Sequence, residues 1–66
     1  MSEQIGLVMT ALPSRYQAVI HAKYEEQRTV AEIAAQWGES PKAVESLLSR
    51  ARAAFREAYR RLDEPD

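Results

Sequence analysis

The sequence has no cysteine and only one histidine, His21. No disulfide framework or thiolate metal site can therefore supply stability, and a single histidine does not build a zinc site. Neither a metal nor a cofactor is expected. No apolar run approaches the length needed to span a bilayer, and the first residues lack the charged-then-apolar order of a signal peptide. The expected compartment is the cytoplasm, with no membrane partner. A nucleophile–base pair, a catalytic carboxylate pair and a glycine-rich phosphate loop are also missing, so no enzyme is expected. Chain breakers are few: two glycines and three prolines, of which Pro65 lies in the C-terminal tail and cannot extend a helix.

What remains is a chain of 66 residues, enough for one domain near the lower limit of a self-sufficient core. An apolar share of 45% beside 29% charged residues is too apolar for a disordered chain. Helix packing, or a larger protein around it, must supply the stability. The net charge of −1 is uneven along the chain. Residues 1–28 balance Glu3, Glu25 and Glu26 against Arg15, Lys23 and Arg28. Residues 40–62 carry Lys42, Arg50, Arg52, Arg56, Arg60 and Arg61 against Glu45 and Glu57 alone, a local basic footprint. Asp63, Glu64 and Asp66 then form an acidic tail. They stand at the unfavourable end of a helix dipole, and residues 63–66 are expected to fray.

Period and caps predict an all-α, compact four-helix domain. Ile5, Val8, Met9 and Leu12 recur at helical spacing and mark a first helix, weakened by Gly6. Pro13 suits the first turn of a second helix, whose stripe is Tyr16, Val19, Ile20 and Tyr24. Glu25–Arg28 reads as a connector. Thr29 and Glu32 have capping-box spacing and open a third helix with Val30, Ile33, Ala34 and Trp37 inward. Gly38 can end it in a left-handed turn. Ser40 and Pro41 cap and start a fourth helix reaching about Leu62, on Val44, Leu48, Ala51, Phe55, Ala58 and Leu62. The expected core includes Val19, Ile20, Ile33, Ala34, Trp37, Val44, Leu48 and Phe55. Tyr16 and Tyr24 are further core candidates.

The third and fourth helices make a helix-turn-helix over about residues 29–50. Ala34, four residues before Gly38, lets two helices cross closely; Val44 and Leu47, six and nine after it, turn the next helix back onto the first. Capped helices joined by glycine also occur in plain bundles. The outer face of the fourth helix argues for more. At about 100° per residue, Lys42, Ser46, Ser49 and Ala53 lie opposite the apolar stripe, flanked by Glu45 and Arg50. Small polar residues edged by basic ones suit a helix in the major groove of double-stranded DNA. Serine at two such positions is a poor choice for a merely solvated helix face.

The stretches Ala11-Leu12-Pro13-Ser14-Arg15-Tyr16-Gln17-Ala18-Val19-Ile20, Glu32-Ile33-Ala34, Gly38-Glu39-Ser40 and Ala43 to Arg52 together resemble region 4 of bacterial sigma factors. The likeness is greatest to the extracytoplasmic-function group and spans about residues 5–60. It implies a C-terminal domain that recognises the −35 element of double-stranded promoter DNA. It further implies docking on the β-subunit flap of the RNA polymerase core, and cover by an anti-sigma factor. By the same resemblance the first two helices contribute to flap docking, with Leu12 and Tyr16 as candidates. The DNA-binding candidates are Arg28, Thr29, Lys42, Glu45, Ser46, Ser49 and Arg50.

Three departures from that pattern bear on the target and the affinity. Gln27 and Arg28 stand where members often have glycine and an apolar residue, although Arg28 can reach a phosphate near the third helix. Glu39 takes a usually apolar place, and Glu45 and Leu47 stand where many members carry Lys or Arg. Glu45 either accepts a hydrogen bond from cytosine N4 or repels phosphate; Leu47 reads as packing. Arg52 and Arg56 either pair with Glu45 or Glu57 or touch phosphate. Two other functions fit the residues. One is the effector domain of a response-regulator-like activator; the other is a protein-interaction module that kept the fold without DNA binding.

Overall fold

A computed structural model describes residues 3–63, with side chains from Ile5 onward. The described residues are helical and contain no strand: α1 is Glu3–Thr10, α2 is Ser14–Ile20, α3 is Val30–Trp37 and α4 is Pro41–Asp63. Between α2 and α3, His21–Glu25 continue as a π-helical segment. The all-α, four-helix expectation is met. No helix among the described residues is long and apolar enough to cross a membrane. Asp63 closes the described part of α4; residues 64–66 of the expected frayed tail lie outside the described residues.

Local chemistry sets each boundary. Pro13 sits just outside α2 rather than in its first turn, with φ −53° and ψ 145°, and its carbonyl accepts from the N–H groups of Tyr16 and Gln17. Thr29 Oγ1 accepts from the Glu32 N–H at 3.1 Å while Glu32 Oε1 accepts from the Thr29 N–H at 2.9 Å. Two of the orphan donors at the start of α3 are thus satisfied reciprocally. Gly38 ends α3 at φ 68°, and the Gly38 and Glu39 N–H groups both close on the Ala34 carbonyl. Ser40 Oγ then accepts from the Ala43 N–H at 3.1 Å, capping α4 with Pro41 as its first residue.

α4 packs on all three other α-helices and is the spine of the domain. The core is wholly apolar among the described residues: Val8, Leu12, Val19, Ala22, Ile33, Ala34, Val44, Leu47, Leu48 and Ala51. Tyr16, Ile20, Val30 and Trp37 are partly buried against it. The inward stripe of α4 therefore follows the expected spacing as far as Ala51. Beyond that, three expectations are corrected. Phe55 is only half-buried and stacks on Tyr59, with ring centroids 6.3 Å apart. Leu62 is 46% exposed, beside an open groove bordered by the α1–α2 turn at Ala11, Leu12 and Pro13. Tyr24 is 52% exposed and lies against Arg52 instead of in the core. Its hydroxyl accepts from Arg52 Nε at 2.6 Å, and the same guanidinium lies over the ring, 5.5 Å from its centroid. Ala22, buried in its place, carries too little apolar surface to register in a stripe.

The connector departs from regular backbone in one place. The Glu26 N–H bonds to the His21 carbonyl and the Arg28 N–H to that of Ala22, a widened version of a helix-ending turn. That closure puts Gln27 in the left-handed region at φ 54°, where a β-carbon meets the backbone. Gly38 is the only other described residue there.

Two stability measurements follow. Leu48→Ala is expected to cost about 2–5 kcal/mol, as for a fully buried leucine, whereas half-buried Phe55→Ala should cost clearly less; equal losses in urea melts would contradict the observed exposure of Phe55. Gln27→Gly should raise stability by about 0.5–1 kcal/mol, relief of left-handed strain exceeding the added freedom of the unfolded chain. A lower melting temperature for Gln27→Gly would show that the glutamine side chain itself holds the turn.

Candidate nucleic-acid interface

Burial of Val44, Leu47, Leu48 and Ala51 fixes the rotation of α4 about its axis, and so decides which residues face solvent. Lys42, Glu45, Ser46, Ser49 and Arg50 are all exposed on the N-terminal half of that helix, together with Ala43 and Ala53. None of these five side chains forms a hydrogen bond or ion pair with another described residue. They share one surface just after the Ser40 cap, the end of the second helix that a helix-turn-helix presents to base edges.

The remaining candidates are placed differently. Thr29 is committed on both its hydroxyl and its N–H to the capping box with Glu32. The Glu32 carboxyl is held below its usual range, first by the Thr29 backbone N–H, then by the Thr29 hydroxyl, and further by the charge of Arg28. A carboxylate already occupies the start of α3, so Thr29 offers a phosphate no free backbone donor there. Arg28 pairs with Glu26 at 3.0 Å and donates to Gln36 Oε1. Leu12 is buried, at 6% exposure, and Tyr16 is half-buried against the core. Both serve packing first.

The other charged side chains are mostly engaged locally. Glu57 holds Arg60 at 2.9 Å and Arg61 at 3.2 Å, and Arg52 is held by Tyr24. Neither Arg52 nor Arg56 pairs with Glu45 or Glu57. His21 lies 2.9 Å from Glu25 and 3.7 Å from Glu26. One contact had no sequence signal: Arg15, on α2, donates to Glu39 in the turn before α4 at 2.6 Å. Opposite charges 24 residues apart carry no period, and only the helix crossing brings them together.

A capped helix held out by a glycine turn, with unengaged polar and basic side chains along its outer face, is the arrangement of a helix-turn-helix DNA-binding domain. The family model described as Sigma-70, region 4 matches residues 2–55, well over half of the chain, which belongs to that family. Comparison with curated proteins and with solved structures gave no match. As a family, sigma region 4 binds promoter DNA at the −35 element in association with RNA polymerase, and it is not a family of enzymes.

The capping box makes stability pH-dependent in a defined direction. Glu32 has a lowered native pKa, so its contribution is complete above the ordinary value of 4.5 and is lost as pH falls through the lowered native value. Glu32→Gln keeps the acceptor but removes the titration. Its melting temperature is expected to fall less than the wild type's as pH drops from neutrality through that window. Parallel acid profiles for the two proteins would rule out the linkage.

Proposed function

We propose that this chain is the −35-reading domain of a sigma factor of the extracytoplasmic-function group, with the helix-turn-helix at about residues 29–50. α4 lies in the major groove, with Lys42, Glu45, Ser46, Ser49 and Arg50 toward the bases and the adjoining backbone. The observation that carries this reading is the unengaged outer face of α4, set just after its cap within a sigma region 4 fold. Small Ser46 and Ser49 permit close approach, while Lys42 and Arg50 supply charge to phosphates or guanine. Arg28 takes a supporting place at the backbone only by exchanging its bonds to Glu26 and Gln36 for a phosphate, and Thr29 only by giving up its capping bonds with Glu32.

Docking on the polymerase flap belongs to the first two helices in this reading. Leu12 shapes that surface from beneath, and Tyr16 reaches it with its half-exposed ring. Leu7, 59% exposed on α1, is the large apolar side chain of that region most open to a partner. The domain works in the cytoplasm, where an anti-sigma factor holds it until release.

A mobility-shift titration against promoter-like duplexes at two salt concentrations tests the reading. Arg50→Ala should weaken all duplexes alike and lower the salt slope by about one if Arg50 meets phosphate, or lose about 1–3 kcal/mol at one base pair if it reads guanine. Glu45→Ala should relax preference at one position if Glu45 reads cytosine and tighten binding everywhere if it repels phosphate. Should both substitutions leave low-salt affinity unchanged, α4 is not the reading helix, and a protein-interaction module becomes the better account.

A further inference from the structure

We propose that Arg15 is a positioning residue for DNA binding: from α2 it neutralises Glu39 at the mouth of the helix-turn-helix, so that α4 meets phosphate without an uncovered carboxylate beside its cap. The inference rests on the DNA-reading role of α4 given above.

Glu39 is held in place by backbone and by side chain. Its N–H bonds to the Ala34 carbonyl across the left-handed Gly38, which fixes the turn. It stands immediately before Ser40, the residue that caps α4, and three residues before Lys42. A carboxylate at that place lies at the edge of the surface that would approach the duplex, where negative charge opposes association. It is partly sheltered, with 27% of its side chain exposed, and Arg15 covers Oε1 at 2.6 Å. Arg15 itself is 61% exposed, so the guanidinium remains in water and is free to turn outward. With Arg28 engaged to Glu26 and Gln36 and Arg52 to Tyr24, Arg15 is the cation positioned to offset this particular charge.

Charge masking and simple clamping predict different signs. If the pair only braces the turn, breaking it from either side loosens α4, and both single variants weaken binding. If Arg15 masks Glu39, then Arg15→Gln uncovers a carboxylate and weakens binding. Glu39→Gln removes that carboxylate, releases a cation, and strengthens binding. A solvent-exposed pair contributes little to folding, so both variants should melt close to the wild type.

The test is fluorescence anisotropy of the 66-residue chain with a labelled random-sequence duplex over a series of salt concentrations, beside thermal melts. Glu39→Gln should bind about two- to fivefold more tightly at low salt, the range available to an exposed charge pair. Its log affinity should fall more steeply with log salt, by about 0.9, as one further phosphate contact forms. Arg15→Gln should bind more weakly by a similar factor, and the double variant should return toward the wild type. Weakening by both single variants, or no change in either, overturns the masking role while leaving the DNA reading intact. Absence of any salt-dependent binding by the wild type overturns the DNA reading itself, and the masking role with it.

Discussion

The close packing of α3 on α4 across the Gly38 turn is the constraint on which the rest depends. Ile33 and Ala34 on one side and Val44, Leu47, Leu48 and Ala51 on the other are all buried. Ala34 serves twice, as a small side chain at the crossing and as the carbonyl that receives the two N–H groups of the turn. Because α4 is both a wall of the core and the bearer of the polar face, burying its apolar stripe aims Lys42, Glu45, Ser46, Ser49 and Arg50 outward. The aim of the polar face is thus a by-product of hydrophobic burial, which is non-directional in itself but stringent once helix rotation is set.

Electrostatics in this domain is local. A net charge of −1 would argue against a nucleic-acid partner if charges acted as a sum. At ordinary salt the screening length is about 8 Å, so arrangement matters more than the total. Glu57 is occupied by Arg60 and Arg61, Glu26 by Arg28, Glu32 by the Thr29 backbone and Glu39 by Arg15. Glu45 alone among the acids from α3 to Glu57 stands without such a partner, in the middle of the face that carries Lys42 and Arg50. In the proposed reading, that position is what gives Glu45 a direct bearing on sequence preference.

The passage from α2 to α3 shows what a small domain tolerates. The π-helical segment, the carbonyl of Ala22 reached from Arg28 and the left-handed Gln27 form one continuous closure that brings the chain to the Thr29 cap. Burial of Ala22 anchors its middle. The strain at Gln27 is sustained because the helices on either side are held by the core, which leaves the connector little choice of path.

Much of this was legible in the residues themselves. Thr29 with Glu32, Gly38, and Ser40 with Pro41 announce their boundaries because capping is chemistry between neighbours, complete within four residues. The stripe of α4 through Ala51 and its polar counter-face follow from one period, and the region 4 pattern from motifs in order. Other features needed the fold. Whether Phe55, Leu62 and Tyr24 are covered depends on how far α1 and the π-helical segment reach along α4, and a periodic stripe continues past the point where its partner ends. Ala22 lacks the apolar bulk to announce burial. Arg15 meets Glu39 only through a helix crossing between residues 24 apart. Sequence alone determines what is settled between near neighbours; the tertiary structure decides what depends on distant segments meeting, because packing, not spacing, sets which surfaces are withdrawn from water.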